Sequence, residues 1–64
     1  MADEQDREVY FTFTVIGSTV KVVAIDSVSG SEITVMGPAT AVRAELERLA
    51  LQKLKARLAR DSAG

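Results

Sequence analysis

The segment Val9-Tyr10-Phe11-Thr12-Phe13-Thr14-Val15-Ile16-Gly17-Ser18-Thr19-Val20-Lys21-Val22-Val23-Ala24-Ile25-Asp26 sets the architecture of this chain. Apolar side chains recur at every second residue on both sides of Gly17-Ser18, the spacing that lines up one face of a strand. A two-residue loop opening on glycine is the sequence signature of a type II′ hairpin. Closing it with Ile16 opposite Thr19 sets Val15 against Val20, Phe13 against Val22, Phe11 against Ala24 and Tyr10 against Ile25. A slip of one residue would turn both phenylalanines to the other face, so the pattern itself specifies the register.

The next segment, Asp26-Ser27-Val28-Ser29-Gly30-Ser31, has the composition of a turn, with Asp26 placed to accept hydrogen bonds from nearby backbone N–H groups. Asp26 opposite Ser31 brings Ala24 to Ile33 and Val22 to Val35. One face of a three-stranded meander then carries Val9, Phe11, Phe13, Val15, Val20, Val22, Ala24, Ile33 and Val35. The other face is mixed: Lys21 and Glu32 are read as solvent-facing, and Tyr10, Val23 and Ile25 as a group able to make a second contact.

Gly37-Pro38 stops the third strand, because proline has no donor for the ladder, and Pro38 suits a first helical turn. From Ala39 to Arg60 the residues are strong helix formers with no Gly or Pro. Glu45 and Glu47 near its start and the cations near its end complement the helix dipole, and Arg43 with Glu47 has i, i+4 spacing. Asp61-Ser62-Ala63-Gly64 reads as a frayed tail. The expected fold is α+β, a three-stranded antiparallel β-meander followed by one long helix (βββα). One small domain spans 1–64: an acidic flexible arm over 1–7, the meander over 8–36 and the helix over 38–60.

At 64 residues, 47% hydrophobic and 27% charged, the composition is that of a folded globule, yet a domain so small buries only about 60% of its unfolded surface. Disulfides, metals and self-association are the usual supplements. With neither cysteine nor histidine, self-association is the remaining route, and no metal or cofactor is expected. The start, with Asp3, Glu4, Asp6 and Glu8 against Arg7, reverses a signal peptide's basic end, and no apolar run approaches the roughly 20 residues of a membrane span. A cytoplasmic protein without membrane contact is expected.

Two features point to a homodimer. A helix from Ala39 to Arg60 covers about 33 Å, more than strands of roughly 17 to 26 Å can underlie. Its apolar residues Leu46, Ala50, Leu54 and Leu58 recur every four residues, drifting about 40° per step. Val42, Leu46 and Leu49 therefore aim at the home sheet, and Leu51, Leu54 and Leu58 at another chain. The first strand, moreover, is an edge with no Pro or Lys to guard it. Its pairing with a two-fold mate would give a six-stranded sheet, and exchange of helices about Gly37-Pro38 is the variant form. The expected interface residues are Tyr10, Phe11, Phe13, Leu51, Leu54 and Leu58.

No catalytic constellation is present. The common acid, base and nucleophile solutions lack their histidine and cysteine, Asp26 and Glu32 fit a turn cap and a solvated strand residue, and the glycines lack the spacing of a phosphate loop. The expectation is a binding or structural module, not an enzyme, with itself and an unidentified protein as partners. The alternative is a nucleic-acid-associated regulator using Lys53, Lys55, Arg57 and Arg60. It is the weaker reading, because those cations spread around the helix without an aromatic and the chain is slightly acidic, with a net charge of −1.

The charged start, Val9-Tyr10-Phe11, Thr19-Val20-Lys21-Val22, Ala24-Ile25-Asp26, Ser29-Gly30-Ser31-Glu32, Met36-Gly37-Pro38-Ala39, Leu46-Glu47-Arg48-Leu49-Ala50 and Lys53-Leu54 together resemble a family of short bacterial proteins of unknown function. The resemblance spans nearly the whole chain, and Met-Gly-Pro-Ala is its most recognisable piece. It implies a stand-alone domain in the bacterial cytoplasm and transfers no catalytic residue.

Overall fold

The computed structural model describes residues 7–63, which form β1 (Val9–Ile16), β2 (Thr19–Asp26), β3 (Glu32–Pro38) and α1 (Arg43–Ala63). The strands make one antiparallel sheet in the order β1-β2-β3, so the α+β meander-and-helix architecture expected from the sequence is the one observed. Both registers agree residue for residue: Phe13 faces Val22, Phe11 faces Ala24, and Val22 and Ala24 face Val35 and Ile33. Gly17 has φ of 62° and no non-glycine residue among the described residues has positive φ, as a type II′ turn with glycine first requires.

The core is Val20, Val22, Ala24 and Val35 under Leu46, Ala50 and Leu54 of α1. Fully burying each of the larger of these side chains contributes about 1.5–3 kcal/mol. Gly37 is part of the seating of the helix: a Cβ there would lie 2.8 Å from Leu46 Cδ2, so the lack of a side chain lets the first buried leucine reach the sheet.

Several expectations are corrected. Pro38 does not open the helix; it is the last residue of β3, opposite Thr19. Ala39 donates its N–H to the Ser18 carbonyl at 2.7 Å, Ala41 donates to the Pro38 carbonyl at 2.9 Å, and Val42 accepts the first helical bonds from Glu45 and Leu46. These bonds hold 39–42 as a turn and delay the helix to Arg43. At the other end Asp61 is helical, and its carboxylate lies 3.8 Å from Arg57 Nε. Arg43 is not paired with Glu47; its guanidinium sits 5.1 Å from the centre of the Phe13 ring, a cation–π contact. Of the arm expected over 1–7, residues 1–6 lie outside the described residues, and Arg7 is held by Asp26.

The helix drift is also resolved differently from expectation. Leu46, Ala50 and Leu54 are all buried on the home sheet and Leu58 packs half-buried against the same cluster, while Val42 and Leu49 are exposed. A right-handed sheet twist turns beneath the helix in step with an i, i+4 row, so one continuous row meets one sheet. Leu54, wholly enclosed by its own chain, is therefore removed from the expected dimer interface.

Candidate functional site

Helix α1 lies across β2 and β3 and leaves β1 beyond its flank. Along the helix-facing side of β1, Val9, Phe11 and Phe13 are half-buried and Val15 is 56% exposed. The even apolar face expected from sequence thus has one end uncovered. At the opposite end of β1 a groove of about 570 Å³ runs between strand and helix, lined by Arg7, Val9, Leu51, Leu54, Lys55, Leu58 and Ala59. Leu51 and Leu58 are half-buried in its wall.

The backbone of β1 is equally one-sided. In a two-residue hairpin the closing pair, Ile16 and Thr19, exchanges hydrogen bonds, and every second pair after it does so. The bond from Ser27 N–H to the Glu8 carbonyl, 2.9 Å, continues this parity beyond the strand end. Tyr10, Thr12, Thr14 and Ile16 are accordingly bonded to β2, and the N–H and C=O groups of Val9, Phe11, Phe13 and Val15 point outward. Among the described residues nothing covers them.

The β3 edge is different. Ser18–Ala39 and Asp26–Ser31 bonds fix the parity, and it turns the backbone of Glu32, Thr34, Met36 and Pro38 outward. Pro38 has no N–H and its carbonyl receives Ala41, while the Glu32 carbonyl accepts from Arg57 Nη1 at 3.2 Å. Among the described residues the Glu32 N–H and the backbone groups of Thr34 and Met36 are left open. Proline and a charged side chain at an edge are devices that discourage strand addition.

Asp26 ties the groove end of the sheet together. It is fully buried on the helix-facing side, and its Oδ2 accepts from Ser29 N–H and Ser29 Oγ, each at 2.8 Å. Arg7 Nε lies 3.1 Å from Oδ1 without an aligned hydrogen bond, so that tie is one of charge. The Ser29 backbone N–H holds the carboxyl below its usual range; burial opposes this, and the Ser29 hydroxyl, Arg7 and the Val28 N–H reinforce it. Glu32 stands on the other face, so the two acids form no pair.

A depressed folded pKa means that Asp26 contributes stability above its ordinary 3.8, which is lost as pH falls through the lower folded value. Asp26→Asn keeps an acceptor for Ser29 and loses the charge facing Arg7. In thermal melts it is expected to have a lower Tm than wild type at pH 7, with the gap closing as pH is taken below 3.8. A gap that persists in acid would show that charge is not what Asp26 supplies.

The other sequence-predicted residues divide by place. Tyr10 is exposed on the open face, where the neighbouring Glu8 carboxylate pushes its phenol up. Lys53, Arg57 and Arg60 line a second groove with Glu32, Ile33, Thr34 and Ala56, whereas Lys55 lies on the β1 side. The four cations thus form no single patch, and Arg57 is engaged with Glu32 and Asp61. Val9, Val15 and Arg7 were missed as site residues by sequence reasoning; Val15 carried a signal, since it shares a face with both phenylalanines at an edge.

No described helix is long and apolar enough to cross a membrane. Neither the curated proteins nor the solved structures give a match to this chain. A family does match: residues 6–61 fit it from just before β1 almost to the end of α1. The chain belongs to the family described as Domain of unknown function (DUF6898).

Proposed function

We propose that the protein is a small homodimeric binding or structural module of the cytoplasm, without catalysis of its own, whose β1 edge pairs with the β1 edge of a second copy. One observation carries this: of the two sheet edges, β3 is guarded by Pro38 and Ala41 at one end and by Arg57 on the Glu32 carbonyl at the other, whereas β1 presents four consecutive outward residues with no partner among the described residues. Phe11, Phe13 and the groove residues Leu51 and Leu58 lie along that same open side. A two-fold axis normal to the sheet joins the strands antiparallel and keeps both helices on one side. The cysteine-free sequence supports the cytoplasmic placement, and the use of the buried Asp26 carboxylate to hold Ser29 and face Arg7 supports a non-catalytic role.

Sedimentation velocity at micromolar concentration is expected to give twice the 6.9 kDa mass of one chain. Monomer at every concentration up to the millimolar range would end this proposal.

A further inference from the structure

We infer that the second copy docks with Thr12 on the two-fold axis, so that its Val15 closes the open side of the groove beside Val9; this rests on the edge pairing proposed above and specifies its register. In an antiparallel homodimer the two residue numbers of every facing pair have one constant sum. The outward backbone groups belong to odd-numbered residues, so that sum is even. Centring on Thr12 mates all of them, Val9 with the partner's Val15 and Phe11 with the partner's Phe13. Centring on Phe11 or Phe13 strands Val15 or Val9 against a residue outside the set.

Side chains agree with the backbone. Across the seam, residues of one pair share a face, so Phe11 meets the partner's Phe13 on the helix side, where both rings are half-buried in the lone chain. Val15, 56% exposed at one end of β1, is brought to the other end of the partner's β1, where the groove opens past Val9 to Leu51, Leu58 and Ala59. The exposed valine and the groove thus lie at opposite ends of one strand, the arrangement that a two-fold axis makes self-complementary.

Area supports the same conclusion. Val9 through Val15 spans about 24 Å at ~3.4 Å per residue and a sheet is about 10 Å thick, so the strand flank alone offers a few hundred Å². A stable dimer buries about 800 Å² per partner, and the groove is the adjoining apolar surface that extends the contact.

The chain's lack of cysteine makes the register directly testable. Thr12, Tyr10 and Thr14 are exposed on the open face, so their replacement leaves the core intact. With Thr12 on the axis, its Cα lies about 4.5 Å from the partner's Thr12, within disulfide range. Thr12→Cys is expected to convert nearly completely to a disulfide-linked dimer under mild oxidation. Tyr10→Cys and Thr14→Cys, each about 14 Å from its own copy, are expected to stay unlinked alone and to link when mixed. Val15→Asp is expected to raise the dimer Kd by about 30-fold or more with an unchanged circular dichroism spectrum.

A sedimenting dimer in which Thr12→Cys fails to link, or links no better than the two flanking variants, overturns the register and leaves edge pairing standing. Linked Thr12→Cys with a wild-type Kd for Val15→Asp overturns the groove contact. Absence of any dimer overturns both.

Discussion

Leu54→Ala is expected to lower stability by about 2–5 kcal/mol, enough to unfold much of the protein at 37 °C. Leu54 is the largest fully buried side chain, with no exposed surface, and it sits where α1 crosses the sheet two turns beyond Leu46. Truncation removes its transfer energy and leaves a cavity that a sheet on one side and a rigid helix on the other cannot close. A core of this size rarely supplies more than about 3–5 kcal/mol, so one such loss is comparable to the whole. The measurement is the urea midpoint at fixed protein concentration, since the proposed dimerisation would add stability by mass action. A residue serving only a partner contact would behave otherwise, with the concentration dependence altered and the monomer's stability retained. Leu51→Ala, in the half-buried groove wall, is the natural comparison and is expected to cost less than half as much. An unchanged midpoint for Leu54→Ala would show that the second half of α1 is not seated on its own sheet.

Ala50→Leu is expected to destabilise by about 1–3 kcal/mol or more, by the opposite mechanism. Ala50 lies between Leu46 and Leu54 on the packed row and is wholly buried, as is Ala24 of the central strand β2. Small residues at these positions let helix and sheet approach, and three added carbons have no room without lifting α1. Because the intrusion sits one turn from the cavity made by Leu54→Ala, the double variant is expected to lose less than the sum of the two singles, the coupling expected of neighbours in one core. Additive losses in a double-mutant cycle would mean that the two side chains do not share packing space.

The sheet was legible because its cues were local and agreed with one another. Alternation along Val9–Ile16 and Thr19–Asp26, the Gly17-Ser18 loop and the Asp26 turn each specify the same register, and a single slip violates all of them. The helix start was misjudged for a reason outside its own composition. Ala39 has a good helix former's side chain, but its amide is taken by Ser18 twenty-one positions earlier in the chain, and no propensity records a tertiary bond. The same blindness affected Leu54. A four-residue repeat on a straight helix implies two faces, whereas over a twisted sheet it is one face, and the twist is a property of the strands. Of the candidate site, the bare edge and its aromatics were readable from the lack of Pro or Lys in β1. Val15 and the groove depend on which two strands the helix covers, and that choice lies in packing.

The contrast between the two flanks of the sheet sets how far the proposed edge pairing could proceed. Were both rims equally receptive, each added molecule would present a fresh rim, and growth would run on into a ribbon. With Pro38 and Arg57 stationed at the far rim, the proposed docking of one chain upon its like would use up the more receptive side of each. On that proposal the count would stop at two, and a sequence bearing an unguarded run of valine and phenylalanine would escape the fate of a fibre.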